Sequence, residues 1–172
     1  MTPSGRNLKA VAELKRGSAM TDVHQESSAC KSGHCLCGKV AFSYQGEPSW
    51  ACYCHCHDCT RNCASPVTAF IGVPLSGFQW LVDNMPATPR YYSSSPGVKR
   101  FFCDQCGTPM AFQATHYRGE IHLYAATLDN PETFTPAFHV HHASHKSWLG
   151  IEDSLKKYPH SAPASEDERN HD

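Results

Sequence analysis

The spacing of the cysteines constrains this chain more than any other feature. Thiols this close in sequence could close only short loops, for which a disulfide gives little stabilisation, whereas zinc sites use such knuckles routinely. The sequence therefore predicts metal binding rather than a disulfide framework. Seven of the ten cysteines form three groups, namely Cys35-x-Cys37, Cys54-x-Cys56-x-x-Cys59 and Cys103-x-x-Cys106.

Seven thiols divide naturally into four and three. A structural zinc site is closed by four ligands, whereas a catalytic site keeps one position open. Cys35 and Cys37 are two residues apart on an extended segment, so both side chains point to one face. Cys103 and Cys106 bracket a tight turn that Gly107 can complete with a positive φ. We predict that these four cysteines hold a structural zinc ion.

The stretch YCHCHDC supplies the other three thiols. If it starts extended, Cys54 and Cys56 share a face, and Cys59 must return to them through a helical turn. His55 and His57 then face the other way, which favours packing or surface roles over ligation. Three thiolates leave a zinc ion with a net charge of −1, which favours a soft fourth ligand such as a substrate thiol. We predict a catalytic zinc with one open position here.

Short β-rich runs fill the rest of the chain. With 172 residues and 40% hydrophobic residues, one domain is expected. Turn signals such as GEP, SSSPG and DNPE separate the runs. We predict a mainly β fold of twisted antiparallel sheets with zinc knuckles and little helix. The runs are VAFSY, VTAFIGV, FQWLV, KRFFC, PMAFQAT, IHLYAAT and AFHVH.

Polar segments flank the predicted β domain. We assign residues 32–159 to the zinc-binding domain and expect disorder in residues 160–172. Residues 1–31 are predicted to be a disordered or weakly helical tail, with at most a short helix around Asn7–Arg16. A further hypothesis is that Met20 is the true start of translation.

The charge balance argues against some partners. Fifteen basic and sixteen acidic residues give a formal charge of −1 at pH 7, so no global field attracts nucleic acid or an anionic membrane. No apolar run approaches the roughly 20 residues of a membrane helix, and the N-terminus lacks the pattern of a secretion signal. We expect a cytoplasmic protein.

Four longer motifs resemble those of the glutathione-dependent formaldehyde-activating family. They are HCLCGKVAFSYQGEP, CHCHDCTRN, SSPGVKRFFCDQCGTPM and HVHHASHKSWLG followed by KKYP, and they extend from about Gly33 to Pro159. The resemblance implies an all-β fold with two Zn²⁺ ions. It also implies an activity that joins glutathione to formaldehyde as S-(hydroxymethyl)glutathione. The same domain occurs in a centromere-associated protein, so the resemblance alone does not fix the substrate.

The resemblance also assigns site residues. It implies that Cys35, Cys37, Cys103 and Cys106 bind the structural zinc, and that Cys54, Cys56 and Cys59 bind the catalytic zinc. Tyr53 stands where the family often has histidine, so a histidine base is unavailable at that position. The proton that completes the addition would come from water, His55 or His57.

Several other residues carry weaker predictions. Arg61 is either an ordinary surface charge or a bidentate partner for a glutathione carboxylate. Trp148 is expected to pack in the core. The cluster HVHHASH, residues 139–145, is expected to be a solvated strand end. Cys52 is either a buried thiol or a spare ligand, and Cys30 and Cys63 are expected to be incidental.

The leading hypothesis is a zinc-dependent carbon–sulfur lyase or synthase acting on glutathione, or a similar small thiol, and a small aldehyde. One alternative is a non-catalytic zinc module that binds a partner or nucleic acid, for which Lys99 and Arg100 could form a local patch. Another is a redox enzyme resembling the type B methionine sulfoxide reductases. That activity would need a reactive thiol outside the metal sites, either Cys52 or Cys63.

Overall fold

The computed structural model describes residues 30–163. The possible helix around Asn7–Arg16, the alternative start at Met20 and nearly all of the predicted N-terminal tail lie outside this range, as do residues 164–172. Within it, no helix is both long and apolar enough to cross a membrane. The elements are β1 (Lys31–His34), β2 (Val40–Tyr44), β3 (Trp50–Cys54), α1 (His57–Asn62), β4 (Thr68–Pro74), β5 (Phe78–Val82), β6 (Met85–Pro86), β7 (Tyr91–Ser95), β8 (Val98–Phe102), β9 (Pro109–Ala114), β10 (Glu120–Tyr124), β11 (Phe138–Val140) and β12 (Lys156–Lys157).

The strands form two sheets. The smaller sheet has the order β1-β2-β5-β6, and the larger one has the order β12-β11-β3-β4-β10-β9-β8-β7. Pairing is antiparallel except at β11, which runs parallel to both β3 and β12. The described residues contain one α-helix, α1, and four single-turn 3₁₀ segments. The prediction of a mainly β fold with little helix is confirmed.

The main hydrophobic core combines side chains from both sheets. Alternation along β2 buries Val40 and Phe42, and alternation along β4 contributes Ile71 and Val73. Leu123 of β10 is fully buried in the same cluster. Burial of each such side chain contributes about 1.5–3 kcal/mol, so this layer holds the two sheets together.

A second cluster lies on the opposite face of the large sheet. Phe70 and Tyr124 pack there with Cys52 and Cys54 of β3. Phe70 precedes the core residue Ile71, and strand alternation places the two on opposite faces. The short helix α1 adds Cys59 to the cluster. The antiparallel β3–β4 pair, together with α1 in the connection between the two strands, thus carries the three thiols of YCHCHDC to one face of the large sheet.

Candidate metal centres and active site

The first thiol group joins the two sheets. Cys35 and Cys37 lie in the connection between β1 and β2, and Cys103 and Cys106 lie in the turn between β8 and β9. Their four sulfur atoms all lie within 4.8 Å of one another. Gly107 has a φ of 75°, so the expected positive φ at this turn is confirmed. The structure therefore brings together the four cysteines that spacing assigned to the structural site.

A hydrogen-bond donor meets a sulfur atom in each of the two knuckles. The amide of Val40 donates to Cys35 Sγ at 3.2 Å. Thr108 Oγ1 accepts from the Leu36 amide at 3.2 Å, so its own hydrogen is free to donate to Cys106 Sγ at 3.1 Å. This hydroxyl, together with backbone donors, lowers the pKa of Cys106 to about 5. Four clustered thiols with such donors fit a closed zinc site, and these residues would hold the ion.

The second thiol group forms at the junction of β3 and α1. Cys54 ends the strand, Cys56 is the extended N-cap residue, and Cys59 lies in the helix. The Cys59 amide donates to Cys56 Sγ at 3.3 Å, and the three sulfur atoms lie within 4.8 Å of one another. The expected change from extended chain to a helical turn is thus present. Cys54 and Cys59 are buried whereas Cys56 is half-buried, so the group meets solvent at Cys56.

The three thiols lie close enough to shift one another's pKa values. Hydrogen bonds with Cys54 and Cys59 lower the pKa of Cys56 to about 2. The hydrogen bond with Cys56 is the largest cause of the raised pKa of Cys54, and desolvation adds to it. Three thiolates this close together repel one another unless a cation lies between them. Three soft donors in this arrangement fit a zinc ion, and Cys54, Cys56 and Cys59 would hold it.

Arg100 stands beside this group, a contact that the sequence did not predict. Its Nη1 lies 3.8 Å from Cys59 Sγ, its Nε donates to Ser94 Oγ at 3.1 Å, and its guanidinium lies 5.1 Å from the ring centroid of Phe112. Burial opposes its charge, but the neighbouring Cys59 raises its pKa overall. The cation balances the net charge of −1 that three thiolates and a zinc ion would carry. Alternation was a usable signal, because Phe101 faces the core and Arg100 must face the other way.

His55 belongs to a buried hydrogen-bonded chain. Its Nε2 lies 2.8 Å from His139 Nδ1, and His139 Nε2 lies 2.9 Å from Asp153 Oδ2. The carboxylate accepts from His139 Nε2, which leaves His139 Nδ1 as an acceptor for His55 Nε2. His55 Nδ1 is then a buried nitrogen without a partner among residues 30–163. His55 therefore packs behind the cysteines rather than beside them, in line with the packing role expected for it.

His142 joins the two histidines closely enough for the three to bind a metal by distance alone. The His55 and His139 rings are nearly coplanar, with an interplanar angle of 15° and centroids 5.1 Å apart. Their 2.8 Å contact therefore lies along the line that joins the two rings. That arrangement suits an N–H···N hydrogen bond, whereas ligands of one tetrahedral ion direct their lone pairs at a common point. The geometry favours the hydrogen-bonded chain.

Two expectations from the sequence are wrong, and one feature suggested for the binding-module alternative is absent from the described residues. The cluster HVHHASH is not simply a solvated strand end, because His139 is fully buried where β11 is paired on both sides. Trp148 does not pack in the core, since 73% of its surface is exposed. Lys99 and Arg100 do not form a joint basic patch, because Lys99 is exposed whereas Arg100 is buried against Cys59.

Arg61, Cys52 and Cys63 lie in three different environments. Arg61 lies exposed in the last turn of α1, where it lines a shallow cleft. Cys52 is buried, and burial raises its pKa to about 12. Cys63 is half-buried with its thiol near the Cys59 carbonyl oxygen, at 3.1 Å. Cys52 is buried with a raised pKa and Cys63 is only half-buried, so neither is the exposed thiol that a redox enzyme needs, which weakens the methionine sulfoxide reductase alternative.

Comparisons with known proteins add independent findings. An uncharacterized lyase of Schizosaccharomyces pombe (strain 972 / ATCC 24843) is 31% identical over 104 residues, which cover 60% of this chain and 72% of the relative. A crystal structure of a Rhodobacter sphaeroides protein matches with a TM-score of 0.47 and 22% identity, covering 57% of this chain and 87% of that one.

The family comparison covers both thiol groups. The model of the glutathione-dependent formaldehyde-activating enzyme family matches residues 30–144, a range that includes all seven cysteines of the two groups. That range is well over half of the 172 residues. The chain therefore belongs to the glutathione-dependent formaldehyde-activating enzyme family.

Proposed function

We propose that this chain is a carbon–sulfur lyase or synthase that adds the thiol of glutathione, or of a similar small thiol, to formaldehyde or another small aldehyde. Family membership and the relative described as a lyase support lyase chemistry. The observation that carries the proposal is the group Cys54, Cys56 and Cys59, whose sulfur atoms lie within 4.8 Å of one another beside the buried Arg100.

Each residue of this group has a defined task. Cys54, Cys56 and Cys59 would hold a zinc ion, while Arg100 would offset the excess negative charge of the three thiolates. When bound, zinc supplies a soft position at which the pKa of an added thiol falls. The half-buried Cys56 marks the side from which the substrate would approach.

The overall reaction adds an S–H bond across a C=O bond. A carbon–sulfur bond forms, and the proton of the thiol ends on the new hydroxyl oxygen. His55 does not suit the delivery of that proton, because Nε2 faces His139 and Nδ1 is buried. His57, which is exposed, or a water molecule would donate that proton.

The other thiol group would have a structural role. Cys35, Cys37, Cys103 and Cys106 would hold a second zinc ion that ties the small sheet to the large one. Such a closed site contributes folding free energy and offers no position to substrate.

The replacement Cys56→Ser tests the proposal. Native mass spectrometry with and without glutathione counts metal ions and thiol adducts on the same molecules. We expect two zinc ions and one glutathione adduct on the wild-type protein. We expect one ion, no adduct and an intact fold for the variant, because only two thiolates of the second group remain. Exchange NMR of glutathione and formaldehyde should show catalysed formation of S-(hydroxymethyl)glutathione for the wild type alone.

Cys30→Ser is the matched control, because Cys30 is exposed and belongs to neither thiol group. It should retain both ions, the adduct and the catalysed rate. A Cys56→Ser protein that still forms the adduct at the wild-type rate would contradict the proposed function. A wild-type protein with one ion and no adduct would instead favour the non-catalytic zinc module.

A further inference from the structure

A cleft of about 280 Å³ lies beside α1. One wall is the helix face that carries His57, Thr60 and Arg61, which follow the spacing of one helix face. The other wall comes from Lys146 and Trp148, more than eighty residues later in the chain. The cleft is therefore a tertiary feature that brings together two segments distant in sequence.

The cleft carries positive charge without a balancing carboxylate. Arg61 and Lys146 both line it, and no aspartate or glutamate does. Neither cation forms a salt bridge with any residue in the range 30–163. The Lys146 ammonium instead lies 3.4 Å from His57 Nδ1 and 3.4 Å from the Ser144 carbonyl oxygen. A cleft with two uncompensated cations favours an anionic ligand.

The large exposed aromatic surface points to a ligand independently. Trp148 is 73% exposed, although exposing the large apolar surface of an indole to water is unfavourable. The rest of the lining comes from α1, from residues 64–66 and from Lys146, and it includes no other phenylalanine, tyrosine or tryptophan. An amphipathic ligand with an apolar stem and a charged end suits this combination of indole and cations.

The cleft begins next to the candidate active site. Cys56, the N-cap residue of α1, and Thr60 are four residues apart on the same side of the helix, and Thr60 Oγ1 donates to the Cys56 carbonyl oxygen at 3.1 Å. Thr60 lines the cleft, and Cys56 is the half-buried member of the three-thiol group. A substrate with its sulfur beside Cys56 can therefore extend its other end along this helix face.

We propose that Arg61 and Lys146 bind a carboxylate of the thiol substrate, with Trp148 covering its backbone, so that the site selects anionic peptide thiols over neutral ones. The inference rests on the proposed function and deepens it, because it assigns substrate selectivity to a second wall of the site. Glutathione fits this chemical class, since it is a short peptide with two carboxylates and one thiol. Arginine can bind one carboxylate in a bidentate manner, and lysine adds a point charge.

The first measurement is binding of S-methylglutathione by isothermal titration calorimetry. This ligand keeps both carboxylates but has no thiol, so it reports on the cleft and not on catalysis. We expect Arg61→Gln and Lys146→Gln each to raise its Kd about tenfold, the size of one charge-assisted hydrogen bond at a partly exposed site. Arg61→Lys should recover part of the loss. Arg118→Gln and Lys156→Gln remove exposed cations outside the cleft and should leave the Kd unchanged.

The second measurement is selectivity between two thiols. The ratio of kcat/KM for glutathione to that for 2-mercaptoethanol should fall about tenfold in each cleft variant, because only glutathione carries carboxylates. Equal losses for both thiols would overturn the inference, as would wild-type Kd values in both variants. If the cleft variants bind S-methylglutathione more weakly than the wild-type protein, and the wild-type protein catalyses no thiol addition, the cleft is supported and the proposed function is contradicted. The two failures are thus distinguishable.

Discussion

At the scale of single residues, Arg100 is a buried cation that is held by three separate contacts. It is 6% exposed, it contacts Cys59 Sγ and Ser94 Oγ, and it lies over the ring of Phe112. A buried guanidinium is tolerated only beside compensating charge, which thiolates of the neighbouring three-thiol group, Cys59 above all, would supply. Its charge and that of the thiol group therefore depend on each other.

Replacement of Arg100 by glutamine should impair the three-thiol site selectively. The variant leaves the negative charge near Cys59 uncompensated, so we expect metal to leave this site at a lower chelator concentration and the thiol-addition rate to fall at least tenfold. Metal content by mass spectrometry and exchange NMR measure the two effects. Lys99→Gln is the control, because Lys99 is the exposed neighbour on the same strand. Equal effects of both replacements would show that net charge, and not the contact with Cys59, matters.

The thiols could be recognised as ligands from the sequence because the cysteines within each knuckle are only two or three residues apart. That is why three knuckles could be divided into two groups before any fold was known. The contact between Arg100 and Cys59 joins residues 41 positions apart, and no local pattern encodes it. Trp148 was misjudged for a different reason, since the tendency of aromatic residues to be buried does not hold at a cleft.

At the scale of elements, β11 connects strand β3, which leads into the three-thiol group, to the C-terminal segment. It pairs in parallel with β3 on one side and with β12 on the other, and His139 in its middle is fully buried. Alternation alone predicted the antiparallel strands well, but it gave no sign of this parallel pairing. His139 was therefore expected in solvent, whereas its side chain links Asp153 to His55 behind the cysteines.

Removal of the Asp153 carboxylate should loosen this element. In Asp153→Ala the buried Nε2–H of His139 loses its acceptor, which we expect to lower the free energy of unfolding by about 1–3 kcal/mol. Asp153→Asn keeps an oxygen acceptor and should lose less. Glu152→Ala removes the exposed neighbouring carboxylate and should change stability by less than about 0.5 kcal/mol. Urea unfolding compares the three, and equal stability of Asp153→Ala and wild type would contradict the role given to the chain.

At the scale of the whole molecule, the two thiol groups have different mechanical positions. The four-thiol group joins the β1–β2 connection of the small sheet to the β8–β9 turn of the large sheet. The three-thiol group lies within one local segment, between β3 and the end of α1. Loss of an ion from the four-thiol group should therefore separate the two sheets, whereas loss from the three-thiol group should disturb only a strand end and one short helix.

Stepwise chelation should reveal this difference. Three ligands hold an ion less firmly than four, so we expect the first zinc to leave without a change in the far-ultraviolet circular dichroism and with loss of thiol addition. The second should leave together with cooperative unfolding, because its binding free energy is part of the folding free energy. Cys106→Ser should reproduce the second stage at any chelator concentration, whereas Cys56→Ser should reproduce the first. If loss of the first zinc ion is accompanied by unfolding, or if the protein stays folded after loss of the second, the division into a catalytic and a structural site is wrong.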